Sequence, residues 1–448
     1  MAFNFSVRSG AIGALLLAAG CMSGSSTGTK TDQAGTTDGN GNAGDNGSST
    51  GSGTGTGTAS LQAVSVTNLT SDETGKASNV NASLVNAWGI VGFQGWFWVA
   101  NNATGKVSIV DGNGQMAAAG MGLDVASDAL DLGEGITGVA VSDSTAMQVD
   151  NPNTCGPANL IFASTHGQLI GVNAQINPTG GQVLVDRSDV KAAYTGVAVL
   201  DVTASTTCAP MGNSSGNGQG SGMGSDNGQG SGAGSDNGQG SGAGGTGNTP
   251  SPGVLTLAAD FSNARVDVFD ENFALMASPM FAAPSTIPAG YAPFNVAVFN
   301  TVVYVSYAQI DKATGESAAG DGLGFVVAFD SCGTMLWTAS GNDLNAPWGM
   351  ALGDDASLAP GALLVGNFGN GHITAINSKD GTVGAQLMDT TGAAIAIDGL
   401  WGIALGNGVA NAQAGGLYFA AGPEDESHGA FGVVTASATT TPPPPPSM

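Results

Sequence analysis

Short stretches in which apolar and polar positions alternate fill the chain from about residue 61 to 437, and one of them recurs. Its copies are Trp88-Gly89-Ile90-Val91, Thr137-Gly138-Val139-Ala140-Val141, Thr195-Gly196-Val197-Ala198-Val199, Phe294-Asn295-Val296-Ala297-Val298, Trp348-Gly349-Met350-Ala351-Leu352 and Trp401-Gly402-Ile403-Ala404-Leu405. The steps between copies are 49, 58, 99, 54 and 53 residues, and the long step contains a low-complexity block, 211–252. Setting that block aside restores a period of about 50 residues, the size of one propeller blade.

Each copy leads to a second alternating stretch: 96–100, 160–164, 254–259, 302–307, 362–366 and 417–421. Third stretches close on turn dipeptides, as at 106–111, 265–270 and 372–377. Alternation of period 2 with regular turns predicts strands and hairpins, and no stretch has a helical period. The expected fold is all-β: a single six-bladed β-propeller of four-stranded blades over 61–437. The last repeat has only three strands, 429–436 being the third. The segment Leu61 to Thr70 has the alternation to supply the fourth, which would close the ring and remove exposed sheet edges.

Outside this body the composition changes. Residues 1–21 read as a signal peptide: Arg8, an apolar run from Ala11 to Ala19, and Ala18-Ala19-Gly20-Cys21, a lipobox-like site at which Cys21 is the expected lipidation residue. The apolar run is too short to span a bilayer. Residues 22–60 are almost all Gly, Ser, Thr, Asn and Asp and predict a disordered tether reaching roughly 30–35 Å. The block 211–252 reads as a flexible insertion, and 438–448 as a Pro-rich tail. The expected location is therefore exported, at the cell envelope as an outer-membrane lipoprotein, with a secreted protein as the alternative and membrane contact only through the lipid anchor. In an oxidising compartment, Cys155 and Cys208, in same-side loops of neighbouring repeats, are the expected disulfide, leaving Cys332 as a free thiol.

Charge narrows the partners. With nine Lys and Arg and a formal net charge of −25, nucleic acid is excluded and so are anionic surfaces, because both need clustered cations.

The stretches 84–90, 97–105, 289–295, 345–349, 364–369, 397–402 and 422–429 make the chain resemble a family of uncharacterised exported bacterial β-propellers of NHL-repeat-like pattern. The resemblance spans about 65–435 and implies the fold; the family has no established activity, so it implies no function.

In a propeller, the loops entering the inner strands and those between second and third strands share one face around the axis, the default ligand face. On it the repeats put Asn101, Asn102, Thr165, His166, Asp260, Asn367, Glu424, Asp425 and His428, with Asn86, Asn295, Asn345 and Asp398 at the approaches to the inner strands. The last four are the candidate metal ligands, because a ring of oxygen donors suits a hard cation such as Ca²⁺; the competing reading is that Asn and Asp here satisfy backbone groups in turns. The loop 308–324, with Asp311, Glu316 and Asp321, is expected to fold over a ligand as a lid. Trp88, Trp348 and Trp401 are expected to pack between blades. Outside the low-complexity stretches there is no Gly-x-Ser-x-Gly elbow, His-Glu-x-x-His, Cys-x-x-Cys-His or phosphate loop. The favoured function is an envelope-displayed binding or scaffold propeller for a protein, glycan or small molecule. The alternative is a metal-dependent hydrolase or lactonase.

Overall fold

A computed structural model describes residues 61–118, 123, 125–202, 253–277 and 279–437. Six antiparallel sheets, one per repeat, are arranged as a six-bladed β-propeller. From the axis outward, blade 1 is Ala87–Phe93, Trp96–Asn101 and Val107–Val110, and blade 2 is Ile136–Val141, Leu160–Ser164, Gln168–Val172 and Gln182–Asp186. Blade 3 is Tyr194–Asp201, Val254–Asp260 and Arg265–Phe269, and blade 4 is Tyr291–Phe299, Val302–Gln309, Gly324–Phe329 and Met335–Ser340. Blade 5 is Pro347–Leu352, Ala362–Asn367, Ile373–Asn377 and Val383–Gln386. Blade 6 runs Leu400–Leu405, Leu417–Ala421 and Ala430–Ala436, its fourth strand is the N-proximal Val64–Ser71, and the two-residue Asn79–Val80 pairs parallel outside that. The fourth strand pairs antiparallel from Val64 opposite Ala436 to Ser71 opposite Ala430. Blade 6 thus joins the two ends of the repeat array, as the alternation at 61–70 predicted.

Two blades are thinner than expected. In blades 1 and 3 the fourth position holds only single bridges, Val110 to Met116 and Phe269 to Leu275. In blade 3 the cause is legible: Pro279, Pro284 and Pro288 follow, and Pro cannot donate to a strand ladder.

The core lies between blades rather than within them. Leu257, Val268, Val305 and Phe329 fuse blades 3 and 4, Leu364, Ile373, Leu400 and Phe419 fuse blades 5 and 6, and Phe97, Val99, Tyr418 and Phe431 fuse blade 6 to blade 1.

The recurrent glycine belongs to these joints. A Cβ on Gly402 would lie 2.4 Å from the Trp88 carbonyl oxygen, and one on Gly349 2.5 Å from that of Trp401. Gly89 meets the Thr137 carbonyl oxygen in the same way, at 2.5 Å. At these positions neighbouring inner strands approach too closely for any side chain. Blade 4 has Asn295 in that place, and its Nδ2 donates to the Trp348 carbonyl oxygen at 2.8 Å, so a hydrogen bond takes over the joint.

Cys155 lies on an added hairpin, Gln148–Asn151 with Thr154–Pro157, inserted in blade 2. Cys155 and Cys332 are both disulfide-bonded, and no described cysteine is free. The expectation of a free Cys332 thiol is therefore corrected: pairing follows distance across the fold, which linear spacing does not give. Cys208 and Cys21 lie outside the described residues, and with them the pairing and lipidation expected there, as do the tether, the insertion and the tail.

Candidate functional site

All six inner strands break register at the same repeat position. The irregularities fall at Trp88, Thr137, Thr195, Phe294, Trp348 and Trp401. A bulge re-aims the side chain it carries, and here four large aromatic side chains from blades 1, 4, 5 and 6 meet on the axis. Trp88 stacks on Trp401 with centroids 3.5 Å apart, Trp348 meets both edge-on at 5.9 and 5.6 Å, and Phe294 leans on Trp401 at 5.7 Å. Phe368, from a loop of blade 5, covers the other face of Trp401 at 4.0 Å. The Trp348 indole N–H crosses from blade 5 to donate to the Thr195 carbonyl oxygen of blade 3, 3.0 Å away. These tryptophans pack between blades, as the repeat suggested: Trp401 meets Trp88 and Trp348 of its two neighbouring blades, and the cluster also reaches across the axis to blade 3.

The aromatic plug divides the axis into two spaces. Below it runs a channel of about 450 Å³ lined by the inner strands, with side chains such as Val139, Val199, Val298, Met350 and Ile403. Its lining is mainly aliphatic, with Asn295, Phe299 and Trp348 added, and carries no carboxylate among the described residues. Above it is a pocket of about 250 Å³. The plug forms its floor through Trp88, Phe294 and Trp401, and Phe261 and Phe368 form its walls. On the side of blades 2 and 3 the small residues Thr165, Ala193, Thr195 and Ser262 leave the room. Three carboxyl groups complete it: Glu316, Asp425 and Glu426.

Two loops deliver those carboxyls. The lid segment expected at 308–324 folds as a short hairpin extension, with a bridge between Ile310 and Ser317 and Asp311 N donating to Glu316 O at 2.7 Å. Gly315, Glu316 and Ser317 at its tip border the pocket. The second loop is a left-handed turn in which Glu424, Asp425 and Glu426 all have positive φ, 56°, 55° and 64°. Three consecutive non-glycine residues there cost on the order of 1 kcal/mol each. The turn is held by its own bonds, Glu426 N to Gly422 O at 3.1 Å and His428 N to Pro423 O at 3.3 Å. It is also held from outside. The Asp398 carboxylate accepts from Glu424 N at 2.9 Å, Asp72 pairs with His428 Nδ1 at 2.8 Å, and Lys76 reaches Glu424 at 3.2 Å. The segment that closes the ring therefore also pins the site, and the Asp72 carboxylate raises the pKa of His428.

Glu426 is the most perturbed acid of the pocket. Burial, reinforced by the Glu316 carboxylate, pushes its carboxyl up to about 7. The Trp401 indole faces it and partly offsets that rise. Even so, no hydrogen bond of proper geometry joins them: Trp401 Nε1 and Glu426 Oε1 are both buried without a hydrogen-bond partner. Leaving a buried donor or acceptor unmatched costs about 1–3 kcal/mol, so the pocket carries unmatched polarity.

The other residues expected on this face divide into groups. Asn101, Asp260 and Asn367 are fully buried at the ends of the second strands and staple loops: Asp260 accepts from Ala193 N at 3.1 Å, and Asn367 accepts from Asn345 N at 3.0 Å. Asn101 donates to Ser108 Oγ at 2.7 Å. Asn102 donates to Ile136 O at 3.0 Å, and His166 is exposed beside Ser164. The four candidate metal ligands are committed to donors of the chain itself. Asn86 Oδ1 accepts from the Trp88 indole at 2.9 Å, Asn295 Oδ1 from Val296 N at 2.8 Å, Asn345 Oδ1 from Gly320 N at 2.7 Å and Asp398 Oδ2 from Glu424 N. Asn295, Asn345 and Asp398 act as backbone clamps, Asn345 at the base of the hairpin and Asp398 under the left-handed turn, and Asn86 holds the Trp88 indole. Among the described residues no group of three or more His, Cys, Asp or Glu is placed to hold a metal ion.

Sequence reasoning placed Asp425 and the Glu316 loop here but missed Glu426, Phe261, Phe294 and Phe368. A signal existed for two of them. The residue after the second strand runs Asn102, Thr165, Phe261 and Phe368 in blades 1, 2, 3 and 5, and that column brings Thr165, Phe261 and Phe368 to the pocket.

No family model matches the chain. It is similar to two uncharacterized proteins of Acanthamoeba polyphaga mimivirus, 24% and 23% identical over 348 residues, 76% of this chain and 73% and 78% of theirs. These relatives are viral, whereas the motifs pointed to bacterial exported proteins. Among solved structures it is similar to a gluconolactonase from Xanthomonas campestris, with a TM-score of 0.37 and 13% identity over 69% of this chain and 78% of that one. It is also similar to a glucose dehydrogenase, with a TM-score of 0.42 and 11% identity over 83% of this chain and all of that one.

Proposed function

We propose that this chain is a binding propeller that takes a small molecule into the pocket above the aromatic plug. The observation that carries the reading is the unmatched pair at its floor, Trp401 Nε1 and Glu426 Oε1, buried in a cavity large enough for a ligand. A bound molecule would satisfy polar groups that the fold leaves without partners. Among the described residues no Lys or Arg lines the pocket, which disfavours phosphates and carboxylates. The signal-peptide-like composition of residues 1–21 and the Gly/Ser/Thr-rich stretch 22–60 support display outside the cytoplasm, at the envelope or secreted. The alternative, a metal-dependent hydrolase or lactonase, has less support because its expected ligands serve as clamps.

Ligand-detected NMR of a small-fragment mixture, run against the full chain and against Ser317→Trp, tests the reading. Ser317→Trp fills the pocket, so fragments that bind the native chain should lose their signals. Fragments that bind both equally, or none that bind the native chain, would overturn it.

A further inference from the structure

The lining of the pocket selects a chemical class of ligand, an inference that rests on the pocket being the ligand site. We propose that its ligand is a small organic ammonium ion, with the ammonium against the Glu426 carboxylate and the hydrocarbon part along Phe261, Phe294 and Phe368.

Three features select this class. Among the described residues the cavity presents Glu316, Asp425 and Glu426 and no cationic side chain, so a ligand bearing a positive charge is attracted and an anion repelled. Neutral sugars usually rest on an exposed aromatic face, but Trp401 lies between Trp88 and Phe368 at 3.5 and 4.0 Å, so both of its faces are covered. Phe261, Phe294 and Phe368 give the cavity an apolar wall suited to a compact hydrocarbon. Finally, the orphan atoms suit one carboxylate serving two donors. Ionised, Glu426 accepts from the ligand ammonium through one oxygen and, after a small rotation, from the Trp401 indole N–H through the other. That arrangement removes both unmatched groups at once.

Binding also moves a proton. Facing Glu426 are Glu316 from the hairpin, Asp425 on its own turn and the Trp401 indole from blade 6; Asp72, Glu73, Lys76 and His428 contact the turn and do not line the cavity. With its carboxyl near 7, Glu426 is mostly protonated at pH 6 and mostly ionised at pH 8. Binding of an ammonium then releases a proton, and affinity rises with pH.

The experiment is calorimetric titration of the full chain with phenethylamine, 2-phenylethanol and 3-phenylpropionate, at pH 6 and 8 and in buffers of different ionisation enthalpy. Phenethylamine should bind at pH 8, about tenfold more weakly at pH 6, with a heat that varies with the buffer. Both other compounds should bind at least tenfold more weakly at pH 8. Glu426→Gln should weaken the amine by tenfold or more and abolish its pH dependence, which separates Glu426 from His428. If 2-phenylethanol matches the amine, or the amine's affinity is flat with pH and indifferent to Glu426→Gln, the inference fails. Fragments displaced by Ser317→Trp, with no amine among them or with a sugar such as glucose favoured, would also overturn the ammonium class while leaving the pocket. Loss of all binding would remove both readings.

Discussion

The two spaces on the propeller axis are built from the same six strands and differ in almost every property. The channel below the plug is lined mainly by aliphatic side chains that repeat from blade to blade and has no charged group among the described residues. The pocket above it draws on positions where the blades differ. The bulge column reads Trp, Thr, Thr, Phe, Trp, Trp, and its two threonines stand on the adjacent blades 2 and 3. Four large residues fill the axis, and the threonine side leaves room. In a ring of repeats, symmetry makes the scaffold, and the columns that break it make the site.

Substitutions on either side of the plug sharpen this contrast. Trp401→Ala should cost about 4 kcal/mol and join pocket to channel, whereas Val298→Ala, at a half-buried channel position, should cost less than about 1 kcal/mol; urea denaturation of both variants checks the difference. Comparable losses would mean that the channel wall is as tightly packed as the plug.

Gly402→Ala stands next, at about 2–3 kcal/mol, because its Cβ would strike the Trp88 carbonyl oxygen between blades 6 and 1. Gly408→Ala has open space but a φ of 73°, so only backbone strain of about 1 kcal/mol is expected. Thermal unfolding of the two proteins should rank them in that order.

The third effect carries the sharpest sign. A carboxyl whose folded pKa is raised favours the folded state less and less as pH climbs from its unfolded value toward the folded one. For Glu426, raised from 4.5 to about 7, that penalty is absent at pH 4, grows up to pH 7 and is constant above. Glu426→Gln should therefore stabilise the protein by about 2 kcal/mol at pH 8 and leave it unchanged at pH 4. A gain that is equal at both pH values would assign the effect to something other than ionisation. The same substitution weakens the proposed ligand, so stability and binding pull against each other at this residue.

The alternation of apolar residues, the period and the missing final strand determined, by themselves, the number of blades, the second strands almost to the residue, and the closure of blade 6 by Val64–Ser71. These are local or repeated signals, and each copy reinforces the others. The place of the acidic loop 308–324 on this face was legible too, and the tip of the hairpin it forms borders the pocket. Tertiary structure decided the rest. The bulge that swings Trp88, Trp348 and Trp401 onto the axis, the left-handed turn that lowers Glu426 into the cavity, and the use of Asn86, Asn295, Asn345 and Asp398 as partners of the chain's own donors all depend on tertiary contacts. Such contacts join residues far apart in the chain, as Trp348 to Thr195 or His428 to Asp72, and no pattern along one strand encodes what a neighbouring blade will place opposite it.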